Sequence, residues 1–120
     1  MKKFLSVVAA VGLITSIASA GDTTKQVEEL ANKYGCSGCH AVDKVKQGPP
    51  YRIVAKEYKG KPNAKETLVK SVLGGSMGKW QRLGKKYGVK IKAFYMPAQH
   101  GVNKQQAEKI IDLILKLDTK

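Results

Sequence analysis

The stretch "GCSGCH", residues 35–40, decides how the rest of the chain is read. Cys36 and Cys39 lie three apart, and His40 follows directly. This spacing serves a redox dithiol, half of a zinc site, or the attachment of a covalent haem. A zinc site needs four protein ligands, or three and a water. The chain offers only Cys36, Cys39, His40 and His100, and His40 is too close to share a tetrahedral site easily with both cysteines. A thioredoxin-like dithiol needs a βαβ setting that puts its thiolate at a helix N-terminus, whereas this motif follows a helix. A C-x-x-C disulfide closes too short a loop to stabilise a fold much. C-x-x-C-H is the haem-attachment spacing. Two cysteines one turn apart can form thioethers to both vinyl groups of one haem, and the next residue, His40, is then carried under the iron.

The start of the chain bears on the same question. Lys2 and Lys3 precede an apolar run over residues 4–17, which ends in Ala18-Ser19-Ala20. This is the pattern of a secretory signal cut after an A-x-A site. The run is shorter than the ~20 apolar residues of a spanning helix, so an uncleaved anchor is the weaker reading. The expected organisation is a signal over residues 1–20 and one domain over residues 21–120, exported to the periplasm. Outside the cytoplasm, free thiols oxidise unless otherwise used. The formal charge is +13, and removal of Lys2 and Lys3 leaves +11 because all nine acids follow the signal. Such a balance suits anionic partners. An exported protein meets little nucleic acid, so an acidic protein or an anionic membrane surface is the partner expected.

Helix signals recur along the chain, and no convincing set of strands does, so the fold class is all-α. A first helix over residues 24–34 has Thr23 as cap and Gln26 closing a capping box. Its stripe is Val27, Leu30, Ala31 and Tyr34, and Gly35 stops it. A short helical turn covers residues 51–58, after Pro49-Pro50. A middle helix over residues 64–73 has Asn63 as cap, Glu66 reaching back, and Gly74-Gly75 at its end. A last helix over residues 104–117 has Asn103 as cap, Gln106 at the third position and Val102 stapling Ala107. Its apolar face is Ile110, Leu113, Ile114 and Leu117. Between these, Trp80, Leu83 and Tyr87 share a helical face that Gly84 weakens by roughly 1 kcal/mol. "VKIKA", residues 89–93, alternates as a short extended piece.

Taken in order, these segments resemble a class I c-type cytochrome of the small soluble bacterial kind. A helix leads into "CSGCHAVD"; "QGPPY" is similar to the family's Gly-Pro turn, and "GGSMGKW" to its glycine-rich loop with tryptophan. "YMPAQ" resembles its distal methionine–proline segment, and an amphipathic helix closes the chain. The resemblance implies a fold whose first and last helices pack across each other around one covalent haem c, held edge-on. It implies Cys36 and Cys39 as attachment points, His40 as proximal ligand and the Pro49 carbonyl as partner of the other ring nitrogen. It implies Trp80 directed at a haem propionate, although an ordinary core tryptophan fits as well. Met96 is implied as distal ligand, with Met77 and His100 as competitors. The chain departs from the family in one respect: residues 81–95 separate Trp80 from Met96, which small members place a few residues apart.

Coordination by His40 and Met96 would leave the iron no open position, which suits one-electron transfer better than ligand chemistry. The expected function is an electron carrier, not an enzyme. It would be a monomer serving redox proteins with acidic docking surfaces, membrane oxidases or reductases among them, and no nucleic acid. Two alternatives stand beside it: a haem enzyme whose distal ligand leaves, and a haem subunit docked on a larger oxidoreductase. Residues 67–107 contain no Asp or Glu but eight Lys and Arg, among them Lys79, Arg82 and Lys92. A basic rim near the distal methionine would steer an acidic partner.

Overall fold

In the computed structural model, which describes residues 20–119, each helix ends where a particular residue dictates. Helix α1, Ala20–Lys33, stops at Gly35, whose φ of 79° is left-handed. Cys36 N–H donates to Ala31 O at 2.7 Å and Gly35 N–H to Asn32 O at 3.4 Å. These are the paired bonds of a Schellman motif, and they aim the chain into the cysteine turn. Helix α2, Tyr51–Tyr58, starts on Pro50, whose fixed φ suits a helix start. Helix α3, Ala64–Gly74, is followed by strand β1, Ser76–Met77. Helix α4, Lys79–Lys86, forms despite Gly84, whereas residues 89–93, expected as a short extended piece, pair with no strand and are irregular. Strand β2, Tyr95–Met96, precedes helix α5, Lys104–Leu115. The all-α class stands, with a two-residue antiparallel bridge as its only sheet among the described residues.

Two expected caps are overturned. Thr23 does not cap α1; the helix runs through it back to Ala20, and Thr23 is buried within it. Asn63 does not cap α3 with its side chain. Its φ of 62° is left-handed, a conformation asparagine tolerates, and no side-chain cap bond forms. The cap of α5 is as read: Asn103 Oδ1 accepts from Gln106 N–H at 2.8 Å, and Gln106 Oε1 accepts from Asn103 N–H at 3.0 Å. This helix ends at Leu115 rather than Leu117, and Ile111 joins its buried face while Leu113 is half-buried.

The core forms around α5, which packs against α1, α2 and α3. Val27 and Ala31 of α1 meet the buried face Ala107, Ile110, Ile111 and Ile114, while Val54, Ala55 and Leu68 close the other sides. The bridge pairs Ser76 with Met96 and Met77 with Tyr95. It therefore closes residues 78–94 into an excursion that leaves and returns at one place. No helix among the described residues is long and apolar enough to cross a membrane. The expected signal, apart from Ala20, lies outside the described residues.

Candidate haem site

The cysteine turn is built by its backbone. Cys39 N–H and His40 N–H both donate to Cys36 O, at 3.1 and 3.0 Å. One helical turn thus separates the two sulfurs, and the imidazole follows. Gly48 N–H donates to Cys39 O at 2.8 Å, which folds the following loop back over the turn. That loop delivers Pro49, whose carbonyl accepts from His40 Nδ1 at 2.8 Å. A carbonyl can only accept, so Nδ1 carries the proton and Nε2 keeps its lone pair. Burial also pushes the His40 pKa down, against the Pro49 bond that raises it, and so favours the neutral ring.

Two neighbours of His40 had little signal in the sequence. Tyr51 stacks on the ring at 4.9 Å between centroids and 19° between planes. A Cβ added to Gly48 would meet His40 Cε1 at 2.6 Å, so only glycine leaves the imidazole its place. "QGPPY" therefore supplies three things at once: clearance, a fixed tautomer and a stacking wall.

Cys36 and Cys39 are free thiols. Burial pushes the Cys36 thiol up, only partly offset by a hydrogen bond from Tyr51. A reactive dithiol shows the opposite shift. Among the described residues no three His, Cys, Asp or Glu side chains gather into a metal site, so the donors of a protein-only zinc site are not assembled.

These residues line one wide, mostly apolar cleft with about 1250 Å³ of empty space, its open mouth included. Cys36, Cys39, His40 and Pro49 form one wall; Trp80 and Met96 reach it from the distal side. The cleft brings all six expected site residues together. Trp80 stands on the first turn of α4, partly buried against the core. The fifteen residues between Trp80 and Met96 do not part them, because the β bridge returns the chain to the end of α3. Gly75, at φ 85°, allows that return: a Cβ there would meet Met96 O at 2.7 Å.

Strand alternation separates the methionines. Ser76, Tyr95 and Met96 line the cleft, Tyr95 while 59% exposed, whereas Met77 is 72% exposed and lies outside the lining. Met77 and His100 are not part of the cleft wall; His100 is exposed on a turn. The donor set, a neutral imidazole and a thioether beside two thiols in an apolar slot, fits a covalent haem.

The model of the cytochrome c family matches residues 25–118. The chain is 38% identical over 88 residues to cytochrome c2 of Rhodocyclus tenuis, covering 73% of this chain and 88% of that protein. It is 42% identical over 80 residues to cytochrome c-552 of Hydrogenobacter thermophilus, covering 67% of this chain and 74% of that one. Its fold is similar to the crystal structure of Nitrosomonas europaea cytochrome c552, with a TM-score of 0.63 and 30% identity over 76% of this chain and 99% of that one. The matched region runs from α1 through the cysteine turn and the cleft to the end of α5, and the chain therefore belongs to the cytochrome c family, as a class I c-type cytochrome.

Proposed function

We propose that this cytochrome is an exported, periplasmic one-electron carrier with one covalent haem c per chain, ligated by His40 and Met96. The observation that carries the reading is the convergence of a tautomer-fixed His40 and an inward Met96 on one apolar cleft. Cys36 and Cys39 hold the group by thioether bonds. His40 Nε2 and the Met96 sulfur would both ligate the iron, which would leave it no open position for exogenous ligands. When bound, the haem iron supplies a one-electron Fe(III)/Fe(II) couple. The indole N–H of Trp80, which lines the distal side of the cleft, would be the donor for a propionate. The apolar walls keep water from the ring, which together with the soft thioether favours Fe(II).

The mouth of the cleft suits docking. Phe94 and Tyr95 are exposed at its distal edge, with Lys79 also in its lining, Met77 exposed on the paired strand and Lys92 nearby in the chain. An apolar centre with a basic rim matches a redox protein whose own contact surface carries carboxylates. A carrier that meets such partners in turn acts as a monomer, and a distal position filled by Met96 distinguishes it from a haem enzyme.

Absorption spectra of the purified protein, oxidised and reduced, test the assignment together with acidic organic extraction of the denatured chain. The haem stays with the polypeptide, and the oxidised protein shows the weak red band of iron–thioether ligation. Met96→Ala abolishes that band, lowers the potential and admits exogenous ligands, while Met77→Ala and His100→Ala leave it. Survival of the band in Met96→Ala would refute the ligand set.

A further inference from the structure

Helix α4 packs extensively against no other helix, and Trp80 is its one side chain packed against the core cluster. The helix pairs that pack extensively all include α5, and α4 is not among their partners. It is flanked by Gly78 and Gly88, both at positive φ. Yet α4 carries Trp80 on its first turn. Gln81, the next residue, donates through Nε2 to Ala93 O at 2.8 Å and to Ile91 O at 3.4 Å. Ile91, Ala93 and Trp80 all line the cleft. A pivot of α4 would therefore move the distal wall.

What fixes the far end of α4 is a carboxylate on α2. Glu57 Oε1 accepts from Tyr87 Oη at 2.7 Å and from Lys86 Nζ at 3.0 Å, and Oε2 accepts from Lys61 Nζ at 2.5 Å. Glu57 is 7% exposed although it stands near the surface, because these three side chains cover it one layer deep. Exposed ion pairs are worth little. A covered carboxylate with three donors differs, because loss of any one leaves polar groups without a partner. At the other end, Lys79 Nζ lies 5.6 Å from the centre of the Tyr58 ring, also on α2.

We propose that Glu57 is a positioning residue for the distal side of the haem cleft: through Tyr87 and Lys86 it holds α4, and through Gln81 of α4 the cleft-lining segment, residues 91–93, that leads into the Met96 strand. The proposal rests on Met96 as the sixth ligand. It gives the excursion over residues 78–94 a task. The excursion braces the methionine strand, and beyond the packing of Trp80 against the core the brace is anchored on α2 by hydrogen bonds.

The test uses the haem-loaded protein with Glu57→Gln and Tyr87→Phe, the second removing one hydroxyl. Lys65→Ala, which breaks the exposed Lys65–Asp112 pair, is the control. Imidazole is the probe. Its uptake by the oxidised protein is followed by loss of the thioether band, alongside the reduction potential and amide hydrogen exchange in α4. Uptake is expected to quicken about tenfold in Glu57→Gln, which weakens three charge-assisted hydrogen bonds, and about threefold in Tyr87→Phe, which removes one of them. Exchange in α4 rises with it, and Lys65→Ala behaves as wild type. A wild-type protein without the thioether band refutes the ligand reading and this proposal with it. A wild-type protein with the band, whose two variants keep its uptake rate and potential, overturns the proposal alone, whatever their melting temperatures.

Discussion

At the scale of single residues, the proximal side depends on contacts with almost no tolerance. His40 is held by one hydrogen bond to Pro49, a stacked Tyr51 and a glycine that lacks the atom which would displace it. Gly48→Ala places a methyl 2.6 Å from Cε1. Either the ring or the loop must shift, at roughly 1–3 kcal/mol for an overpacked site. The melting temperature of the haem-loaded protein is expected to fall by about 4–8 °C per kcal/mol for a domain of this size. The shift also strains the Pro49 bond, so the potential moves as well. Thermal scans and redox titration of the same preparation measure both, and an unchanged potential would show that the loop yields rather than the ring.

At the scale of elements, the last helix is the organiser and its cap a separable contribution. Asn103→Ala removes one half of a reciprocal pair and should destabilise by about 1 kcal/mol. Chemical denaturation measures it, and spectra should be unchanged because α5 supplies no ligand. The Glu57 node makes a different prediction. Lys61, then Tyr87, then Lys86 hold its carboxyl down at about 2, against an opposing effect of burial. A depressed carboxylate stabilises the fold fully above its unfolded value near 4.5, and that contribution fades as pH falls through about 2. Glu57→Gln should therefore flatten the acid limb of the stability curve in this window and leave the slope above pH ~5 unchanged. Denaturant titrations across the acid range decide it; equal acid slopes in both proteins would mean that Glu57 is not depressed in solution.

At the scale of the molecule, charge is distributed unevenly. The described ion pairs draw only Lys86 from the basic stretch of residues 67–107, and the exposed Lys70, Arg82, Lys85, Lys90, Lys92 and Lys104 have no acidic partner among them. Their field adds to a chain of formal charge +13 and acts over about a Debye length. Electron transfer to an acidic redox protein should slow steeply as salt rises. Lys92→Ala should lower the rate at low salt and leave it near wild type at high salt. Stopped-flow measurements over a range of ionic strength test this, and a flat dependence would remove the docking role of the basic rim.

The sequence by itself carried the haem reading and marked most of the helices. Ligand count and setting along the chain weigh against the competitors of "GCSGCH", and periodicity, capping residues and the Pro49-Pro50 start mark α1, α2, α3 and α5, because those signals are local. The Asn103 cap was legible for the same reason. The caps at Thr23 and Asn63 were misread because cap residue types also occur within helices and in left-handed turns, and sequence spacing does not tell these apart. Only the tertiary structure decided how Trp80 and Met96 share a cleft across the fifteen intervening residues. That depends on a two-residue bridge between Ser76–Met77 and Tyr95–Met96, too short to leave a periodic signal. The roles of Gly48, Gly75 and Glu57 were likewise hidden. Each is defined by what lies against it from a distant part of the chain, and packing of that kind has no signature in the order of residues.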